Sequence, residues 1–154
     1  MPIALIASAA WAERSPGLPL AGPEQALILA SIVEKETGLA ADRGLIAGVL
    51  LNRLRAGMPL QTDPSVIYGL GEGFDGDLKR SHLSADTPYN TYTRAGLPPT
   101  PIAMPGKAAL LAAAQPAATQ ALYLVARGDG SSHFSRTLDE HNCAVQRYQR
   151  GGSR

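Results

Sequence analysis

The stretch that settles the fold is LILASIVEKETG, residues 27–38. On a helix advancing about 100° per residue, Leu29, Ile32 and Val33 share one side, with Ala26 and Ala30 beside them. Glu36 falls on that side too, while Glu34 and Lys35 turn to flanks where a charge reaches water. An amphipathic helix is therefore expected, with one acid out of pattern on its apolar face. Two readings of that acid stay open. Desolvation disfavours the carboxylate form and raises the pKa, which suits a general acid working near neutral pH. Alternatively the helix ends at Glu36 and the carboxylate pairs with Arg43 or Arg53.

Working outward, Pro16, Gly17 and Pro19 break any helix begun at the N-terminus, and Pro23 suits the first position of the next one, which runs to about Gly38. Gly38 fits the left-handed position beyond a helix end. Asp42 is expected to cap a second helix with Ile46, Val49, Leu50 and Leu54 on its core face and Gly57 at its end. The tight link between the two implies an antiparallel pair. Asp63 is expected to cap, and Pro64 to open, a short helix to about Leu70. Residues 71–106 follow, rich in Gly, Pro, Asp, Ser and Thr, a loop long enough to suggest a function. KAALLAAAQPA (107–117) reads as a helix ended near Pro116, ALYLVARG (121–128) and GSSHFSR (130–136) as strands, and TLDEHNCAVQRYQR (137–150) as a closing helix. Gly128, Asp129 and Gly130 suit a hairpin turn.

These elements make one α+β domain, residues 1–154: a helical N-terminal half, a long ordered loop, a small hairpin and a C-terminal helix. A chain of 154 residues buries about 68–70% of its unfolded surface and holds a core unaided. Alanine is abundant while the sequence has only 2 Phe and 1 Trp, so its elements must pack closely. The 14 basic and 13 acidic residues are scattered, which argues against a nucleic-acid surface. Cys143 is the single cysteine; it excludes an internal disulfide and a cysteine-built zinc site and reads as a small buried hydrophobe. The opening MPIALIASAAWAERS lacks a basic n-region and is too short to span a bilayer. It reads as the tail of an amphipathic helix, so the chain is expected to be a piece of a longer protein.

Few residues carry chemistry. His82, His133 and His141 form no H-E-x-x-H pair, and His141 lies on an amphipathic helix where a solvated role outweighs a metal site. Neither a metal nor a cofactor is called for. Serine-hydrolase elbows and phosphate-binding P-loops are absent. Within the long loop, Tyr89, Asn90, Thr91 and Tyr92 place two aromatic faces beside amide and hydroxyl groups, a combination suited to sugar rings, and Tyr68 and Gln61 are candidates to join them. The competing reading has the tyrosines filling a core poor in Phe and Trp and the amide fixing the loop.

Six segments, LASIVEKET (29–37), NRLRAGMPLQTDPSVIYGLG (52–71), TPYNTYTRAGLPPTPIAMPG (87–106), AAAQPA (112–117), LYLVA (122–126) and HNCAVQRY (141–148), stand in an order and spacing that resembles the YceG-like family, the endolytic murein transglycosylases of bacteria. The resemblance covers about residues 10–148. It implies a fold distantly similar to lysozyme and cleavage of the β-1,4 bond between N-acetylmuramic acid and N-acetylglucosamine within peptidoglycan strands, leaving 1,6-anhydromuramyl ends. By motif match the family's catalytic glutamate is Glu36, and its ET step resembles the ES of other lytic transglycosylases.

Glycosidases ordinarily need two carboxylates. In the lytic transglycosylase reaction that the resemblance implies, the attacking group is the C6 hydroxyl of the same muramyl residue, so one acid would suffice, protonating the glycosidic oxygen and then taking the hydroxyl proton. Gln61 and Asn90 are the candidates to meet the developing positive charge. A muramidase hydrolysing the same bond is the alternative enzyme, with Asp63 or Glu34 as second acid. A peptidoglycan-binding module without turnover is the alternative outside enzymes. The resemblance also implies an N-terminal membrane helix and a LysM-like domain, which these 154 residues lack. An excised catalytic domain or an internal start is thus expected. The full protein would sit on the outer face of the cytoplasmic membrane beside cell-wall synthases and penicillin-binding proteins, and this chain alone would be soluble, touching the membrane only through the missing helix.

Overall fold

Pro23 opens the helix that organises the molecule. The computed structural model describes residues 2–36 and 39–149, and in it that helix, α2, runs Pro23–Glu36 behind a first helix α1, Ile3–Ala12. The expected stripe is in place: Ala26, Leu29, Ala30, Ile32 and Val33 are all buried. Gly38 and Thr37 lie outside the described residues. The next helix, α3, spans Ala40–Ala56 and ends on Gly57 in the left-handed conformation (φ 71°), as glycine permits at no steric cost. Asp42 is not its cap. It sits in the first turn, and its carboxylate accepts a hydrogen bond from the Ser132 amide at 2.9 Å, tying α3 to the distant hairpin.

Helix α4 covers Asp63–Leu70, with Thr62 rather than Asp63 at the cap position and Pro64 in the first turn; the Asp63 carboxylate accepts from the Tyr92 hydroxyl instead. Residues 71–106 hold a turn of 3₁₀ helix (Gly71–Gly73) and a short helix α5 (Arg80–Ser84). Helix α6, Lys107–Ala114, follows. Its buried alanines, Ala109, Ala112, Ala113 and Ala114, let it lie close against α1, α2 and α3. The core is therefore a four-helix cluster of small and branched side chains.

The strands β1 (Tyr123–Ala126) and β2 (Ser132–Ser135) pair antiparallel, Tyr123 opposite Ser135 and Ala126 opposite Ser132. Gly128 and Gly130 both take φ 93° in the turn, which a side chain would resist. The closing helix α7, Leu138–Tyr148, packs on both strands. It starts with a capping box, in which the Thr137 hydroxyl accepts from the Glu140 amide and the Glu140 carboxylate accepts from the Thr137 amide. Cys143 on this helix is exposed, contrary to the reading of it as a buried hydrophobe, because α7 buries only a narrow stripe centred on Ala144.

A feature that hydrophobic periodicity misses docks the hairpin. Gly44, Gly48 and Asn52 recur every fourth residue on α3 and form a trough for residues 117–121. A Cβ on Gly48 would stand 2.7 Å from the Thr119 methyl and 3.0 Å from the Ala117 carbonyl oxygen. The Asn52 amide donates to the Thr119 and Ala121 carbonyls, each at 2.9 Å. This seat delivers β1 to the edge of the cleft described next.

Candidate functional site

The C-terminal end of α2, the middle of α3, the segment leading into α4, the loop residue Tyr92 and the inner side of the hairpin and α7 enclose a cleft of about 450 Å³. Glu36, Arg53, Gln61, Asp63, Tyr92 and His141 all line it, against an apolar wall that includes Val49, Leu50, Leu60 and Leu124.

Glu36 is half-buried, reached from the cleft but otherwise surrounded by protein. Among the described residues no ion pair reaches it; the pairs present are Lys79–Asp75 and Arg94–Asp86, both far out on the surface. The expected alternative, a bond to Arg43 or Arg53, is absent there. Burial pushes the Glu36 carboxyl up to about 7, and the charge of Asp63 adds to the shift. Half of its molecules are therefore protonated near neutrality. Glu34, two residues earlier, serves the scaffold instead, since its carboxylate accepts from the Gly106 amide at 2.8 Å and anchors the start of α6.

Tyr92 bridges the loop to α4. Its hydroxyl donates to the Asp63 carboxylate at 2.6 Å. Burial first, then that bond and the charges of Asp63 and Glu36, hold the phenol above its usual range, with Arg53 pulling the other way. It stays a donor. Gln61 is exposed at the cleft wall and is the one described non-glycine residue with a left-handed backbone (φ 56°). Such strain persists only where neighbours enforce it. Here the Gln61 amide donates to the Thr91 carbonyl (3.1 Å) and the Thr62 amide to the Thr91 hydroxyl (2.9 Å).

The other loop candidates are scaffold rather than wall. Asn90 is 1% exposed. Its NH₂ group faces the carbonyls of His82, Leu83 and Ala85 at 3.3, 3.0 and 2.7 Å, and its oxygen accepts from the Tyr92 and Thr93 amides. No part of that amide is left to meet a developing charge, so the loop-fixing reading holds for it. Thr91 is buried in a knot of hydroxyls with Thr62 and Ser65, at separations of 2.8–3.1 Å. Tyr68 and Tyr89 pack ring to ring at 4.9 Å on the flank of α4 and are not among the cleft-lining residues. Tyr89 bonds Thr100 through its hydroxyl, while Tyr68 is 46% exposed.

Two cleft residues are not picked out by sequence patterning. His141 of α7 stacks on Tyr123 (centroids 5.1 Å, planes 23° apart) instead of facing water. Burial first, then the nearby charges of Arg53 and His133, lower its pKa below the usual imidazole range. Arg53 reads from sequence only as a partner for Glu36. It lies three residues after Leu50 and seven after Ile46, on the buried face of α3, so the wheel that singles out Glu36 would single it out as well.

The YceG-like family model matches residues 4–147. Over 122 residues the chain is 46% identical to the endolytic murein transglycosylase of Bacillus subtilis, a match covering 79% of this chain and 34% of that protein. It is 35% identical over 121 residues to the protein of the same name from Streptococcus pneumoniae, covering 75% of this chain and 22% of that one. A crystal structure of a yceG-like protein from Listeria monocytogenes superimposes with a TM-score of 0.72 at 43% identity, over 79% of this chain and 39% of the other. The chain belongs to the YceG-like family. It spans about a third or less of the length of these curated relatives.

Proposed function

We propose that this chain is the glycan-cleaving part of an endolytic peptidoglycan lytic transglycosylase, and that Glu36 is its single acid and base. The observation carrying this reading is a carboxyl at a cleft wall that no ion pair reaches among the described residues, where burial and the charge of Asp63 push it up to about 7. The named function of the curated relatives supports it. Glu36 gives its proton to the glycosidic oxygen as the bond from muramyl C1 to that oxygen breaks. The C6 hydroxyl of the same sugar then bonds to C1, and its proton returns to Glu36. Proton and bonds balance without water or a cofactor.

Gln61 and Tyr92 are the groups placed to hold the sugar, and the Asp63 carboxylate favours positive charge developing nearby. Asn90, Thr91, Tyr68 and Tyr89 contribute by shaping the loop that carries Tyr92. In the whole protein we place the substrate as nascent glycan strands at the outer face of the cytoplasmic membrane, with cell-wall synthases and penicillin-binding proteins as partners. No helix among the described residues is long and apolar enough to cross a membrane.

Hydrolysis of the same bond is the second reading, because Asp63 shares the cleft with Glu36 whereas Glu34 is tied to Gly106. The products decide. Mass spectrometry of uncrosslinked glycan strands incubated with this chain should find internal cuts ending in 1,6-anhydromuramic acid, absent with Glu36→Gln. Reducing ends would establish the hydrolase, and equal cutting by both proteins would remove Glu36 from the mechanism.

A further inference from the structure

Arg53 is 7% exposed, yet among the described residues no carboxylate pairs with it. Its Nε donates to the Leu122 carbonyl and its Nη1 to the Pro59 carbonyl, each at 2.7 Å. Nη2 has no protein partner there and is not among the enclosed unpartnered atoms, and Arg53 itself lines the cleft. A guanidinium so far out of water is ordinarily paired with an anion, because two neutral carbonyls do not replace its hydration. The Tyr123 ring, 5.0 Å from the guanidinium carbon, offsets part of the cost.

The surroundings are short of negative charge as well. His141 stands in the same cleft, its Nδ1 enclosed without a partner. The acids nearby are otherwise engaged: Asp42 accepts from the Ser132 amide, and Asp63, at the other side, from Tyr92. The cleft thus has an acid end at Glu36 and Asp63 and a cationic floor at Arg53 that lacks a counter-ion.

We propose that Arg53, with His141 beside it, is the site that receives a carboxylate carried by the muramyl residue of the substrate, Nη2 donating to it from the cleft floor. This inference rests on the reading of the cleft as a peptidoglycan site. It supplies what that reading lacks, a means of telling the two alternating sugars apart, since only the muramyl sugar bears a lactyl substituent. The carboxylate has two chemical sources: the lactyl group itself where the peptide has been removed, or the acidic residues of an attached stem peptide. An arginine suits either through charge-assisted hydrogen bonds.

The test is an NMR titration of this chain, following the Arg53 Nε–H and His141 ring signals. The probes are N-acetylmuramic acid, its neutral lactyl methylamide, N-acetylmuramyl-L-alanyl-D-glutamate and N-acetylglucosamine. The site is expected to bind at least one carboxylate probe roughly tenfold tighter than the methylamide and N-acetylglucosamine, with both signals moving. Preference for the first probe assigns the lactyl group as the source, and preference for the third assigns the peptide. Arg53→Gln should abolish the preference while leaving the neutral probes unchanged; should that variant fail to fold, Arg53→Lys, which keeps the charge, is expected to retain part of it. Equal binding of charged and neutral probes, or no binding by any of them, would overturn the proposal. Glycan cleavage measured on the same preparation separates the two claims: cutting without carboxylate preference removes the role of Arg53 alone, whereas absence of cutting with the preference intact counts against the catalytic reading.

Discussion

The end of α2 and the loop from Asp86 to Arg94 both reach the cleft, through Glu36 and Tyr92, and treat polar groups in opposite ways. In the loop the central polar side chains are matched: Asn90 uses both its N–H bonds on backbone carbonyls and its oxygen on two backbone amides, Thr91 joins the hydroxyl knot, and Asp86 receives Arg94. At the end of α2 the Glu36 carboxyl is left without an ion-pair partner among the described residues and is held near neutrality by burial. On the function proposed above, the difference separates scaffold from chemistry. A polar group with all its bonds made has nothing to offer a substrate, while one kept unsatisfied at a cleft wall is poised to exchange a proton.

The sharpest way to break this contrast is at Glu36 itself. Glu36→Gln keeps the shape and removes the proton, so turnover on glycan strands should fall by about 10³-fold or more while the fold is retained, as checked by circular dichroism. The same variant reports on stability. A carboxyl raised to about 7 in the folded state from an ordinary 4.5 favours folding most below pH 4.5, and the contribution is lost as pH rises through 7. Relative to the parent, Glu36→Gln should therefore gain stability between pH 4 and pH 8, by up to about 3 kcal/mol, in denaturant titrations at the two pH values.

In the loop the expected pattern reverses. Asn90→Ala removes a buried amide whose two N–H bonds serve backbone carbonyls and whose oxygen accepts from two backbone amides, and should cost about 2–3 kcal/mol of stability in urea melts. Its activity loss should track the fraction unfolded and leave the pH profile unmoved. The smallest effect falls at the junction of the two regions: Tyr92→Phe removes one hydrogen bond to Asp63, with an expected loss of about 1 kcal/mol in stability and a several-fold drop in kcat/KM. An unchanged kcat/KM there would detach the loop from the site.

The helical half is legible because burial on α2 and α3 repeats at the helical period, and an acid at position 36 interrupts that repeat. The hairpin shows through its turn glycines, Gly128 and Gly130. What stays hidden depends on partners far away in sequence. Gly44 and Gly48 look like weak points of a helix until residues 117–121 are seen lying on them. His141 looks solvated until the hairpin brings Tyr123 beneath it. The aromatic residues of the loop could be named from their chemistry, but only geometry divides Tyr92, in the cleft, from Tyr68 and Tyr89 on its flank.

Glu36 is expected to hold a proton near neutral pH because the fold half-buries it beside Asp63 and, among the described residues, gives it no ion-pair partner. A pH titration of the Glu36 side-chain carboxyl carbon by ¹³C NMR, assigned by its loss in Glu36→Gln, measures this directly. The expected midpoint lies near 7. A midpoint near 4.5, that of an ordinary glutamate, would contradict the claim.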